Sequence, residues 1–367
     1  MPESACFIDA RSVSRAEAVR SAAALIEASR LPVFLVRACD VAGARAAIRL
    51  AERVGGIIDH VDAEAALREL DVMRSFGKFI VTPNESRQRA DTVLLVGAGL
   101  TKLWPEMVGR LGLGELPRLA LQPERRRILC LGGDGDETSL SGLVDQTIKA
   151  PDEALPGVVA ALRACVAKRR VGLSASHKSA LDTIAEKLRA AQYGLVIYSP
   201  LSLDVLAIEM LMGLVVDLNK TTRFSTLSVG ASGNAETLMQ TAGWMTGFPV
   251  RTGFGRGFPE HDPWRFDTAR LIESGEADVV IWIASAAAEP PSWVSRCPLV
   301  ALTLPGSAVA QAKVQIAVGR HGHDHDTIEF VRDVQALAWR AASGASDLPS
   351  AAATLDEIAT SLSREAA

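Results

Sequence analysis

Leu25-Ile-Glu-Ala-Ser-Arg-Leu-Pro-Val-Phe-Leu-Val36 is the stretch that decides the fold. It ends one helix and opens one strand. The helix is predicted over Ser14 to Arg30, begun by the capping box Ser14-x-x-Glu17, with Val19, Ala22, Ala23 and Ile26 at helical spacing. Pro32 stops it, and Val33-Phe-Leu-Val36 follows as a strand that is apolar on both faces. Asp40 caps a second helix with Ala44, Ala47, Ile48, Ala51 and Val54 on one face, and Gly55-Gly56 closes it. The same kind of run returns at Thr92 to Val96, Arg127 to Leu131, Leu195 to Tyr198, Val279 to Ile283, Leu299 to Thr303 and Val314 to Val318. Apolar runs without alternation, separated by helical stretches, predict largely parallel sheets covered on both faces. The fold class is α/β.

A loose internal likeness sharpens this. Leu25 to Val36 resembles Lys187-Leu-Arg-Ala-Ala-Gln-Tyr-Gly-Leu-Val-Ile-Tyr198, and Ala90-Asp-Thr-Val-Leu-Leu-Val-Gly97 resembles Ala277-Asp-Val-Val-Ile-Trp-Ile-Ala284. Each of the second pair is followed by a further strand, at Ile128 and Leu299. Two Rossmann-like units are therefore predicted. On periodicity alone they are sequential, with a break near residues 165 to 175. After a stretch of Pro, Ala and Ser at Ala345 to Ala353, a last helix carries Leu355, Ile358 and Leu362. That narrow stripe suits docking onto a neighbour or onto the body of the chain.

Composition excludes several functions. The 367 residues are 48% hydrophobic and 22% charged with a net charge of −4, so the chain is globular and has no bulk attraction to nucleic acid or an anionic membrane. Met1-Pro-Glu-Ser-Ala-Cys6 lacks the basic and apolar regions of a signal peptide. The longest apolar candidate, Val205 to Leu218, is interrupted by Glu209 and Asp217, so no membrane span is expected. The expectation is a soluble, cytoplasmic protein. The five cysteines, Cys6, Cys39, Cys130, Cys165 and Cys297, form no C-x-x-C pair, which excludes an all-cysteine metal site and predicts buried, reduced thiols.

Most local motifs fail on inspection. Gly97-Ala-Gly99 follows a strand, but Lys102 stands where a dinucleotide fingerprint needs glycine. Cys130-Leu-Gly-Gly-Asp134-Gly-Asp136-Glu137 lacks the full ligand ladder of a calcium loop and reads as a solvated turn. Ser232, in Gly-Ala-Ser-Gly-Asn, is outside any G-x-S-x-G motif. Two segments remain. In His321-Gly-His323-Asp-His325-Asp326, an extended backbone would set three imidazoles on one face as candidate metal ligands. Alternatively the segment is a surface loop whose Asp residues cap a helix over Thr327 to Ala342. The loop Gly247 to Trp264 carries Arg251, Arg256 and His261 among aromatics, a set that fits an anionic ligand with flat rings or a packed protein interface.

Val54-Gly-Gly-Ile-Ile-Asp59, Asn84 to Val96 with Arg-Ala-Asp-x-Val, and Thr246-Gly-Phe-Pro-Val-Arg-Thr-Gly-Phe-Gly-Arg-Gly-Phe-Pro259 resemble the B subunit of formylmethanofuran dehydrogenase, in the molybdopterin oxidoreductase superfamily. The match is interspersed over residues 15 to 320. Within that family the chain is most similar to the B subunit of the bacterial formyltransferase/hydrolase complex. The resemblance implies two Rossmann-like domains, one inserted in the other: 14–88 with 245–345 as the first, 89–244 as the second, and 346–367 as a tail helix. It also implies an iron–sulfur segment and a metal-binding cysteine after Gly-Gly-Ile-Ile-Asp. Here the chain opens at its first Rossmann-like helix, and His60-Val-Asp-Ala-Glu-Ala-Ala-Leu67 contains no thiol. Arg256 matches the family's active-site arginine, without the thiolate or the cluster that formate redox chemistry requires.

The expectation that follows is a non-catalytic structural subunit that holds no cofactor itself. Its complex would carry formyl groups from formyl-tetrahydromethanopterin via formyl-methanofuran or methylofuran to formate. Partners implied by the resemblance are the hydrolase, the transferase and a third subunit, with no nucleic acid and no membrane. Alternatives are a subunit retaining a pterin or methylofuran site on Arg251, Arg256 and His261, an active dehydrogenase subunit, and a metalloenzyme built on His321, His323 and His325.

Overall fold

The computed structural model describes residues 6–120, 125–133, 140–172, 174–230, 234–307 and 309–362. The chain forms two compact units, Met1–Ala63 with Ser232–Val331 and Ala336–Ala367, and Glu64–Ala231 with Arg332–Gln335. The first begins with β1 (Cys6–Ile8), β2 (Arg11–Ser12), α1 (Arg15–Ala28), β3 (Pro32–Ala38), α2 (Val41–Val54) and β4 (Ile57–His60). The local sequence signals act as predicted. Ser14 Oγ accepts from Glu17 N–H at 3.3 Å, and Asp40 Oδ1 accepts from Gly43 N–H at 2.8 Å. Gly55 ends α2 at φ +67°, a left-handed conformation that favours glycine.

The second unit contains α3 (Ala63–Ser75), α4 (Pro83–Arg89), β5 (Thr92–Val96), α5 (Leu100–Leu103), α6 (Met107–Leu111), β6 (Arg127–Leu131) and β7 (Gln146–Ile148). It continues through α7 (Leu155–Val166), α8 (Ala175–Arg189), β8 (Tyr193–Tyr198), α9 (Val205–Leu218) and β9 (Arg223–Ser228). Its sheet is parallel throughout, in the order β7-β6-β5-β8-β9. Numbered along the chain this is 3-2-1-4-5, a doubly wound arrangement. One face buries Leu94, Val96, Val196 and Phe224 among residues of α3, α7, α8 and α9. The other buries Val93, Leu95, Leu195 and Leu227 with Trp104 and Met107.

The chain then returns to the first unit with α10 (Ala235–Thr246), β10 (Thr252–Gly253), β11 (Glu260–His261), α11 (Thr268–Glu273), β12 (Val279–Ala284), β13 (Leu299–Thr303) and β14 (Val314–Ala317). Last come β15 (Thr327–Val331), β16 (Ala336–Arg340) and α12 (Ala351–Ser361). The nine-stranded sheet runs β11-β10-β4-β3-β12-β13-β14-β1-β2. Its five central strands are parallel in the chain order 2-1-3-4-5, and antiparallel strands extend both edges. The internal likeness in the sequence falls on corresponding positions. β3, β12 and β13 are neighbours in one sheet, as β8, β5 and β6 are in the other.

Three expectations are corrected. The break near 165 to 175 lies between α7 and α8, which pack together in one core. Residues 64–88 side with the second unit, where Val72 of α3 packs into the core, and α10 sides with the first through Asn234 Oδ1, which accepts from Cys39 N–H. Thr327 to Ala342 is no helix: β15 and β16 form a hairpin with Ile328 opposite Trp339. Thr-Ile-Glu-Phe-Val alternates and is β-prone, and that local preference wins. The tail helix α12 is likewise part of the first unit. Arg15 bonds Glu357 at 3.0 Å and Thr354 at 2.6 Å, Arg53 donates to the Ala359 carbonyl at 2.7 Å, and Leu355 and Ile358 are fully buried. Among the described residues no helix is long and apolar enough to cross a membrane. Leu355→Ala should cost about 2–5 kcal/mol, by the lost burial and the cavity left behind, in urea denaturation of the whole chain.

Candidate functional site

The candidate residues gather on the first unit, around the ends of β3, β4 and β12. β4 ends in Asp59-His60, both fully buried. Asp59 accepts from His60 N–H at 2.8 Å and from Thr268 N–H and Oγ–H at 3.2 and 2.6 Å, tying β4 to the start of α11. Burial pushes its carboxyl up to about 6, against the lowering effect of Thr268 and Arg251. His60 Nδ1 accepts from Asp62 N–H at 2.9 Å, so the neutral ring carries its proton on Nε2. Burial lowers His60 to about 4, despite the pull of Asp62.

Arg251, Arg256 and His261 do not converge on a ligand. Arg251, at φ +58° and 9% exposed, donates to the Pro263 carbonyl at 2.6 Å and pairs with Asp267 at 2.5 Å. It is a buried brace that folds the loop back on itself. Arg256 points outward, paired with Glu260 at 3.0 Å and lying 5.2 Å from the centre of the Phe258 ring. His261 donates from Nδ1 to the Arg251 carbonyl at 3.1 Å and stacks against Phe248. The guanidinium of Arg251 thus turns inward to the start of α11, while that of Arg256 faces solvent.

The three imidazoles also part company. Gly322 at φ +70° turns the backbone tightly, bridging His321 to His325, so the segment is not the extended strand that would align them. His321 Nδ1 is 2.8 Å from Ser285 Oγ, and its Nε2 is 3.2 Å from Glu329. Although burial raises the Glu329 carboxyl, the bonds from His321 and Arg340 hold it below the usual range. His323 turns to Asp324 at 2.8 Å, at the surface. Among the described residues no group of three or more His, Cys, Asp or Glu side chains could hold a metal ion. Residues Asp134 to Glu137 and Ser232 lie outside the described residues.

A sheet of 2-1-3-4-5 order opens its binding crevice beyond the carboxyl ends of the strands flanking the switch point, here β3 and β12. At that place the chain's own groups bond one another. Asn234 bonds Cys39 N–H at 2.8 Å, Ser285 donates from N–H and Oγ–H to the Ala38 carbonyl at 2.8 and 3.1 Å, and His321 bonds Ser285. Phe330 N–H of the hairpin donates to Thr237 of α10 at 2.9 Å. Asn234 and Ser285 carry no local sequence signal, since each acquires its role from a partner distant in the chain.

No family model matches the chain. Over 310 residues it is 36% identical to the B subunit of the Fhc formyltransferase/hydrolase complex of Methylorubrum extorquens, across 83% of this chain and 82% of that protein. The chain belongs to this family of B subunits. It is also 24% identical over 291 residues to the B subunit of tungsten-containing formylmethanofuran dehydrogenase 2 of Methanocaldococcus jannaschii, across 76% of this chain and 65% of that one. The crystal structure of the M. extorquens formyltransferase/hydrolase complex with methylofuran contains a chain that superposes with a TM-score of 0.85 at 33% identity. That match covers 96% of this chain and 97% of the other.

The donor set of this family member does not suit a metal–pterin. After Asp59 it offers His60, whose Nδ1 is taken by Asp62 N–H. Cys39 is fully buried, and burial reinforced by Asp40 pushes its thiol well above the ordinary range, away from the thiolate that ligation requires. The two buried groups on β4 have opposite pH signatures. As pH falls from about 6.5 towards 4, unfolded chains protonate a histidine that the fold keeps neutral, so His60 lowers stability in acid. Asp59, raised to about 6, loses stability as pH rises from about 4 through 6. His60→Gln should therefore remove this part of the acid-side loss, so that between about pH 6.5 and 4.5 the variant loses less stability than wild type in denaturant titrations.

Proposed function

We propose that this chain is the structural, non-catalytic B subunit of a cytoplasmic formyltransferase/hydrolase complex. That complex passes formyl groups from formyl-tetrahydromethanopterin via formyl-methanofuran or methylofuran to formate. The hydrolase, the transferase and a third subunit are its partners, and the furan and pterin carriers are handled by them. Membership of the family and the likeness over nearly the whole length of a chain in the solved complex support this reading.

The observation that carries the non-catalytic part is that no thiol follows Asp59 up to Leu70, with internal hydrogen bonds at the switch point of the first unit supporting it. Asn234 bonds the Cys39 amide, Ser285 the Ala38 carbonyl and His321 the Ser285 hydroxyl, at the place where a doubly wound sheet ordinarily binds its ligand. With no thiolate beside Asp59, metal–sulfur ligation has no donor there. We read the two doubly wound units as a molybdopterin oxidoreductase-type framework, one Rossmann-like domain inserted in the other, kept for its shape and contacts after the redox site was lost.

Native mass spectrometry of the chain isolated from its own cells tests the reading. A complex containing transferase and hydrolase subunits, with no pyranopterin or tungsten or molybdenum mass on this chain, is expected. A metal–pterin on the chain would overturn it. Arg256→Ala should leave formyl transfer and hydrolysis by the whole complex within about twofold of wild type, because its guanidinium is exposed and engages Glu260 and Phe258 at the surface.

A further inference from the structure

The parallel sheet of the second unit carries a basic rim at the margin where its strands begin. β6 starts with Arg127 and β9 with Arg223, and the register through β5 and β8 sets the two at matching ends, about 14 Å apart across three strand spacings. α7 and α8 end at the same margin. α8 leads into β8, and Arg189 of its last turn donates to the Cys165 and Val166 carbonyls of α7 at 3.0 and 3.2 Å. The chain leaves α7 there through Lys168-Arg169-Arg170. On the other face of the sheet Leu119 N–H donates to the Gln88 carbonyl of α4 at 2.9 Å, which places Arg118 at this margin too. All six cations, Arg118, Arg127, Lys168, Arg169, Arg170 and Arg223, are exposed. Among the described residues none of them enters an ion pair or a side-chain hydrogen bond.

Cations at helix carboxyl ends commonly answer the helix dipole. Here other side chains meet that need, Arg189 at the end of α7 and Arg87 at the Gly109 carbonyl of α6. Carboxylates at the same margin are already engaged, Glu115 by Arg87, Asp145 by Arg125, and Asp217 by Arg163 and Lys220. The six are therefore surplus positive charge on a chain whose net charge is −4, and crowded like charges repel until a counter-charge arrives. We propose that this rim docks an acidic surface of another subunit of the formyltransferase/hydrolase complex, whose carboxylates pair with the six cations. The proposal rests on the structural-subunit reading above. Five of the six are arginine, whose planar fork takes a carboxylate by two bonds, as Arg87 takes Glu115 at 2.8 and 2.6 Å. Beside Arg118 the large exposed side chains are Leu116 and Leu119, at 54% and 62%, which suit a protein surface, whereas nucleic-acid bases stack on aromatics. A second copy related by a twofold axis would set the rim against itself.

Arg169→Glu with Arg170→Glu breaks no side-chain bond among the described residues, so the isolated chain should melt near the wild-type temperature. Association of this variant with the remaining subunits should be about tenfold slower than wild type at about 0.05 M salt, with the gap closing to about twofold at about 0.5 M. Arg127→Glu with Arg223→Glu should act in the same way from the strand starts. Arg20→Glu with Arg45→Glu, exposed on the first unit, changes the net charge equally and should leave the rate within about twofold of wild type. Wild-type rates for both rim variants, or equal slowing by the first-unit pair, would overturn the docking proposal while the complex itself still formed. So would a rim that holds single-stranded RNA, or one whose reversal abolishes self-association of the chain alone. Recovery of no other subunit with the wild-type chain would instead overturn the structural-subunit reading and this proposal with it.

Discussion

Strands buried on both faces impose the main constraint on this molecule. β3 has Val33, Phe34, Leu35 and Val36 all at 1% exposure or less. No water reaches its amides and carbonyls, so each must be paired within the sheet, and both faces must be covered by helices. Parallel neighbours answer the first need and crossover helices the second. The chain meets the constraint twice, in orders 2-1-3-4-5 and 3-2-1-4-5, and almost everything else follows from how the ends of those strands are finished.

Those ends are where doubly wound folds ordinarily bind, because helix starts and strand carboxyl ends leave polar groups available to a ligand. In the first unit several of these groups are satisfied internally. Asn234 serves the amide of Cys39, Ser285 serves the carbonyl of Ala38, and His321 links Ser285 to the Glu329–Arg340 pair. Asp59 fastens β4 to α11 in a similar way. Buried polar groups are mostly hydrogen-bonded, and at these strand ends neighbouring side chains supply the partners.

The helices and strands of both sheets were largely legible in the residues. Ser14 and Asp40 cap the helices that follow them, and the apolar runs at Thr92 to Val96 and Leu299 to Thr303 are strands over those very residues. The site was legible only as a set of residues. Arg251, Arg256 and His261 sit close along the chain, but a left-handed turn at Arg251 sends its guanidinium inward while Arg256 faces out. His321, His323 and His325 have metal-like spacing, but that spacing means something only in an extended backbone, and Gly322 turns it. The helix expected at 327–342 fails for a related reason: the alternation of Thr-Ile-Glu-Phe-Val is short, and only the ladder it joins makes it decisive.

What the sequence by itself determined is what depends on near neighbours in the chain: where helices start and stop, which strands are buried on both faces, that no close pair of cysteines exists, and that no thiol follows Asp59. These are consequences of spacing, capping and residue chemistry, which act over a few residues. Only the tertiary structure decided the direction of side chains and the partners they meet. Ser285 and His321 are 36 residues apart, and Cys39 and Asn234 are 195 apart. Contacts over such separations are set by how sheets and helices pack, so they become visible only once the chain has closed on itself.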